Sequence, residues 1–337
     1  MTRSHLTFFC ELEARPLREL FADGTVIAEL QALGAGVSLG IRDLSAGRAA
    51  VVRRLNEAGI PLAAWLLLPE EQGYWFNLEN APEAAAFYAR FKAWSVAYDL
   101  QWLGVGLDIE PHISEIAKLG AGEWRVLPGI IRRFLDLERF RQAQTAYRRL
   151  VRQIRADGYC VDSYVIPVIV DERRVGSTLL RRLTGLIDIE VDREVLMLYS
   201  SFLRPNGHGY LWSYAPAAQS IAVGSTGGGV TVGGLDQVPP LSWEELSRDL
   251  RLSRVWSDDI HIFSLEGAVR EGYLKRLAAF DWAAPIAPPF REFRLVERVR
   301  RGLRAVLWAG SHPAVILAGM MGLLWLISRL RRKPANR

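Results

Sequence analysis

Cysteine is nearly absent: the 337 residues contain two, Cys10 and Cys160. Both stand in apolar, strand-like runs, so they are expected as buried thiols, and no disulfide framework or Cys-x-x-Cys metal spacing exists. The five histidines (His5, His112, His208, His261, His312) are scattered singly, so no metal site and no cofactor is expected. No Gly-x-Gly-x-x-Gly follows the first apolar strand, which removes the dinucleotide fingerprint. The glycine cluster from Gly224 to Gly234 comes late in the chain and reads as a flexible loop. Net charge is only +5. The basic excess gathers at Arg291 to Arg304 and Arg329 to Arg337, which argues against nucleic acid as a partner. The opening ten residues run into Glu11 and Glu13 too soon for a secretory leader.

What is present is a large apolar inventory, 50% hydrophobic against 23% charged, enough for a sizeable packed core. Short apolar runs alternate with segments of helical spacing: Leu6 to Glu13, Val37 to Asp43, Pro61 to Leu68, Leu103 to Ile109, Tyr159 to Val170, Glu194 to Ser200, Ser220 to Val223 and Ile260 to Leu265. Runs apolar on both faces and separated by helices predict a parallel sheet covered on both sides. Eight of them predict a closed (β/α)8 TIM barrel, an α/β fold, over residues 1–283, with an open doubly wound sheet as the alternative.

Beyond residue 283 the pattern changes. Residues 284–304 read as a basic, proline-containing juxtamembrane linker or helix. Residues 305–328 carry no formal charge; at about 1.5 Å per residue they match a hydrocarbon core of about 30 Å. Trp308 and Trp325 suit its interfaces, and residues 329–337 form a basic tail. A single-pass transmembrane helix at the C-terminal end is therefore expected, with the body on the cytoplasmic side.

The stretch Trp102-Leu-Gly-Val-Gly-Leu-Asp-Ile-Glu-Pro-His112 organises the functional reading. Strand side chains repeat every two residues, so Asp108 and Glu110 share one face at the end of the strand. Neighbouring buried acids raise each other's pKa, which allows one to hold a proton while the other orients it; a strand-end pair that caps a loop is the bland counterpart. In a barrel the working site lies at the C-terminal ends of the strands. Those ends offer Glu13, Asp43, Trp65, Tyr164, Met197, Tyr199 and Glu266, with Tyr74, Trp75, Tyr210, Trp212 and Tyr214 on the rim. Acids with aromatic rings around them suit a carbohydrate, whose C–H faces stack on rings. Glu11 reads better as a solvated or capping acid.

Leu103-Gly-Val-Gly-Leu-Asp-Ile-Glu110 resembles the fourth-strand motif of the family 18 glycoside hydrolases, the chitinase-like enzymes, written Asp-x-x-Asp-x-Asp-x-Glu. Leu103 and Gly106 stand at the first two acids; Asp108 and Glu110 match the last two. Met197-Leu-Tyr199 is similar to that family's Met-x-Tyr, with Ser200 where an Asp follows. The resemblance implies a glycoside hydrolase acting on an N-acetylhexosamine-containing glycan, with Glu110 as general acid and Asp108 and Tyr199 holding the substrate's 2-acetamido group. A conventional retaining scheme would instead draw a second carboxylate from Glu13 or Glu266. The alternative is a catalytically inactive barrel that binds a sugar or glycan precursor at the membrane, since a fold does not guarantee activity.

Overall fold

A computed structural model describes residues 5–120, 122, 124–229 and 238–331. Eight parallel strands close on themselves in chain order, β1 through β8 and back to β1. In sequence the elements are β1 (His5–Cys10), α1 (Ala14–Leu20), α2 (Thr25–Leu33), β2 (Gly36–Ile41), α3 (Ala46–Glu57), β3 (Leu62–Leu66), α4 (Ala81–Ala97) and β4 (Gly104–Ile109). Next come α5 (Ile113–Gly120), α6 (Leu127–Leu135), α7 (Leu137–Ala156), β5 (Cys160–Val165), α8 (Val168–Arg174), α9 (Leu179–Thr184) and β6 (Arg193–Met197). The chain continues with α10 (Gly207–Tyr214), β7 (Ser220–Gly224), α11 (Trp243–Arg254), β8 (Asp259–Phe263), α12 (Leu265–Arg270), α13 (Tyr273–Ala278), α14 (Phe290–Ser311) and α15 (Pro313–Arg331). This is the α/β barrel that the alternating pattern predicts.

Local chemistry explains where the helical periodicity is cut. The span from Pro16 to Leu33 is two helices because Gly24, at φ +79°, turns the chain between them. The span from Leu127 to Ala156 breaks at Asp136, whose carboxylate accepts the backbone N–H of Arg139 at 2.9 Å and starts α7. Two layers of apolar packing hold the wall. Leu6, Phe8, Val37, Leu39, Val105, Leu107, Ile221 and Ile262 face outward into the helices, while Phe9, Trp65, Tyr164, Val195, Met197 and Ala222 fill the interior. Of the two thiols, Cys10 is buried as expected; Cys160 is exposed at the start of β5, and both are free.

The C-terminal end departs from the expectation of one straight span over residues 305–328. The apolar stretch is divided between α14 and α15, which meet at His312 and Pro313 with an 87° bend. Among the described residues no single helix is long and apolar enough to cross a membrane, whereas this bent pair passes by length and composition. The first helix belongs to the barrel's outer layer. Buried Arg300 donates through Nε to Asp171 Oδ2 of α8 at 2.9 Å and lies over the ring of Tyr214 at 3.7 Å. Tyr214 itself donates to the same carboxylate at 2.7 Å. Proline at 313 has no N–H to continue the ladder, which accounts for the break.

Candidate active site

The interior is built by alternation. Large side chains (Phe9, Trp65, Tyr164, Met197, Phe263) are set against small ones (Ser38, Gly104, Gly106, Ala222), which fills a small barrel without a channel. At the N-terminal end of the strands, Arg193 donates through Nε to Asp162 at 3.0 Å and through a terminal nitrogen to Asp259 at 3.1 Å. Ser220 donates to Asp259 at 2.5 Å. This ion-pair network closes the floor, and it places Asp162 at the bottom of β5, away from the mouth.

At the opposite end Asp108 is the last inward position of β4, and Glu110 follows directly after the strand. Asp108 is 2% exposed and receives the indole N–H of Trp65 at 3.1 Å through Oδ2. Its Oδ1 is buried with no hydrogen-bond partner among the described residues. Burial pushes its carboxyl well above the usual range, and the charges of Glu110 and Glu11 add to that, while the indole opposes it. Glu110 is half-buried and pushed up to about 8, first by desolvation and then by Glu11, with the Asp108 carboxyl pulling partly back. The pair therefore retains a proton at neutral pH, and Glu110 is its more open member. A carboxylic acid in that state can deliver a proton to a bound oxygen and recover it from water.

Glu11 belongs to this cluster, contrary to the solvated role read from sequence. It is 5% exposed, and its Oε1 accepts the hydroxyl of Tyr74 at 2.5 Å. The signal was available in the period-two pattern, because Glu11 lies two residues beyond inward-facing Phe9. Tyr74 is in turn overlain by the Arg42 guanidinium at 5.3 Å.

Aromatic rings surround the acids. Phe263 lies 5.6 Å from the ring of Tyr199 and 6.3 Å from Trp65, and Phe9 bridges Trp65 at 5.2 Å and Tyr164 at 4.7 Å. Tyr199 is close enough to Asp108, Glu110 and Glu11 for their charges, after burial, to hold its hydroxyl protonated. Met197 packs beneath, in the same interior cluster. Tyr164 fills the space opposite Gly106 and shares a 2.6 Å hydrogen bond with Ser38, so it supports the floor of the site from below.

The structure does not bring all the expected residues together. Glu13 is exposed and pairs with Arg42 at 2.8 Å, at the start of α1. Asp43 accepts Nε of Arg48 at 3.0 Å and the backbone N–H of Ser45, which ties down the loop before α3. Glu266 does reach the mouth, in the first turn of α12, and neither of its buried carboxyl oxygens has a hydrogen-bond partner among the described residues. Burial raises its pKa. The described part of the glycine cluster is pressed against these acids. A Cβ on Gly228 would stand 2.6 Å from Glu266 Oε1 and one on Gly229 2.9 Å from Glu11 Oε2, so this backbone packs onto carboxyls and does not form an anion cradle. Residues 230–237 of that cluster lie outside the described residues. No group of three or more His, Cys, Asp or Glu side chains among the described residues is arranged to hold a metal ion.

No protein-family model matches the chain, and no curated protein matches it. Solved structures do. The PgaB (BpsB) glycoside hydrolase domain from Bordetella bronchiseptica is similar with a TM-score of 0.50 at 11% identity, over 82% of this chain and 98% of that one. A D-allulose 3-epimerase from Methylomonas sp. is similar with a TM-score of 0.42 at 10% identity, over 89% and 98%. A D-psicose 3-epimerase from Clostridium cellulolyticum H10 follows, with a TM-score of 0.38 at 12% identity, over 90% and 99%. At such identities the first likeness speaks for the fold, an eight-stranded α/β barrel of TIM type.

Proposed function

We propose that the barrel is a glycoside hydrolase acting on an N-acetylhexosamine-containing glycan, with Glu110 as the proton donor. The observation that carries this reading is the Asp108–Glu110 pair at the end of β4, proton-bearing at neutral pH and ringed by Trp65, Tyr199 and Phe263. Glu110 protonates the glycosidic oxygen as the bond to the anomeric carbon breaks. The substrate's own acetamido oxygen attacks that carbon, Asp108 stabilises the positive charge that develops on the amide nitrogen, and Tyr199 hydrogen-bonds the acetamido group. Glu110, now ionised, then takes a proton from the water that opens the cyclic intermediate. Trp65 orients Asp108, a task that the chitinase-like motif gives to acids this chain lacks.

The test is release of chromophore from a series of N-acetylglucosaminides by the wild type and by Glu110→Gln. Turnover by the wild type and a loss of two orders of magnitude or more in the variant supports the reading, in line with the usual worth of a general acid. Equal turnover by both would remove Glu110 from the chemistry. A second reading, a sugar-binding barrel without catalysis, draws support from the closeness of Gly228 and Gly229 to Glu266 and Glu11. It predicts glycan binding without release by either protein.

We further propose that α14 and α15 attach the barrel to a membrane with the body on the cytoplasmic side. The apolar composition of α15 and the exposure of Val315, Met320, Met321, Leu324 and Trp325 support this. Removing the residues from His312 onward should release the protein from membranes; unchanged partitioning would count against attachment.

A further inference from the structure

The segment that leaves the functional strand carries an exposed apolar stripe. In α6 Arg133 is buried beside Ile130, while three aliphatic residues stay outside. Arg133 is 4% exposed and donates to both oxygens of Glu115, at 2.7 and 2.9 Å, and to the carbonyl of Leu183 at 2.7 Å. Ile131 and Leu135, by contrast, are 55% and 67% exposed, and Leu127 is exposed on the same side. At 3.6 residues per turn, positions 127, 131 and 135 form a single stripe. Trp124, 68% exposed one turn earlier, extends it. Leu183 of neighbouring α9 is also exposed, and Arg182 joins the two helices by lying over the ring of Phe134 at 4.5 Å. A contiguous apolar surface of this kind is unusual on a protein surrounded only by water.

Two observations point to what covers it. Exposed Arg125 and Arg132 border the stripe, which gives a short amphipathic helix with aliphatic and indole groups on one side and guanidinium groups at the edge. That is the composition of a helix lying in the plane of a lipid interface, where arginines meet anionic headgroups. Through α9, the stripe also neighbours the helix that leads into the chain's most apolar segment. The end of α14 abuts α9, since a Cβ on Gly310 would meet Leu179 at 2.7 Å and Ser311 Oγ donates to Ser177 at 2.9 Å. Apolar α15 starts at Pro313, two residues on.

We infer that the outer face of α6 and α9 is a membrane-docking surface that lies in the headgroup region of an anionic bilayer. The occupant is the lipid surface. The α5 segment starts three residues after Glu110, so this docking holds the mouth of the barrel beside the bilayer. It goes beyond the attachment proposed for α15, and it rests on the proposed chemistry only for its consequence: the substrate is a glycan presented at the membrane surface, of the lipid-linked class.

The experiment uses the full chain in a Cys160→Ser background, with an environment-sensitive nitrobenzoxadiazole label at Ile131→Cys. The same label at Lys275→Cys serves as control, because α13 lies between β8 and β1, across the ring from the β4–β5 insertion. A third label at Met320→Cys reports on α15. Each protein is reconstituted into phosphatidylcholine vesicles with and without phosphatidylglycerol. The expected result is that the Ile131 label shifts to shorter wavelength and is quenched by headgroup-level spin-labelled lipid, more strongly with phosphatidylglycerol, while the Lys275 label keeps its aqueous emission. An Ile131 label as aqueous as the control in phosphatidylglycerol vesicles overturns the proposal. Shielding that appears without lipid and grows with protein concentration overturns it as well, in favour of a second copy of the chain. Shielding at Ile131 with an aqueous Met320 label supports the docking face and rejects α15 insertion; the reverse pattern rejects the face and keeps the insertion.

Discussion

The hydroxyl of Tyr164 occupies the place where a side chain on Gly106 would begin: a Cβ there would stand 2.3 Å from that oxygen and 2.6 Å from Cζ. A ring from the next strand therefore fills the space beside Gly106, and Asp108 takes its hydrogen bond from Trp65 on the preceding one. Glycine at 106 and tyrosine at 164 are fitted to each other.

An acid at position 106 should consequently not fit. Gly106→Asp forces the Tyr164 ring out of its contact with Ser38 and is expected to cost about 1–3 kcal/mol or more by overpacking. Pairing it with Tyr164→Ala should recover part of that loss. Urea unfolding of the two variants and the wild type measures this, and a Gly106→Asp midpoint equal to the wild type would contradict the packing described.

Stability should fall as pH rises across the neutral range. Glu110 has a folded pKa of about 8 against an ordinary 4.5, so the fold binds a proton that the unfolded chain releases. That contribution is full below about pH 4.5 and lost above about 8. Glu110→Gln should flatten the profile over this window and gain relative to the wild type at its alkaline end. Urea midpoints from pH 5 to 9 provide the comparison; parallel profiles would show that Glu110 titrates normally. In the wild type, turnover dependent on the protonated acid should decline above about pH 8.

Asp171→Ala should loosen α14. Asp171 is fully buried between Arg300, Arg304 and Tyr214, and removing one member of a buried pair leaves the other uncompensated, at about 3–5 kcal/mol. The expected outcome is a lower unfolding midpoint together with faster proteolytic cleavage between residues 285 and 311. Retention of both wild-type properties would mean that α14 is held by other contacts.

Trp65→Phe keeps the ring and removes the donor to Asp108. A buried carboxyl left without that partner should cost about 1–3 kcal/mol. If Asp108 assists catalysis, kcat should fall more than KM rises, because binding rings remain in place. An unchanged kcat would separate the indole from the chemistry.

Much of this architecture was legible in the chain. The alternation of apolar runs and helical segments yields the eight strands, and the period of two brings Asp108 and Glu110 to one face. Glu11 obeys the same rule yet resembles a surface acid in sequence, because a single acid after a strand carries no sign of the Tyr74 hydroxyl that arrives from 63 residues away. Glu13 and Asp43 fall at the mouth by position alone; Arg48 is five residues from Asp43, but Arg42 reaches Glu13 from the next strand's end, and both pairings depend on the loops between strand and helix. Local pattern specifies elements and faces, whereas the choice of ion-pair partner is made by tertiary packing.

The stoppered floor leaves the vessel with one door. With Arg193 clasped between Asp162 and Asp259, whatever reaches Glu110 must back out along its route of arrival.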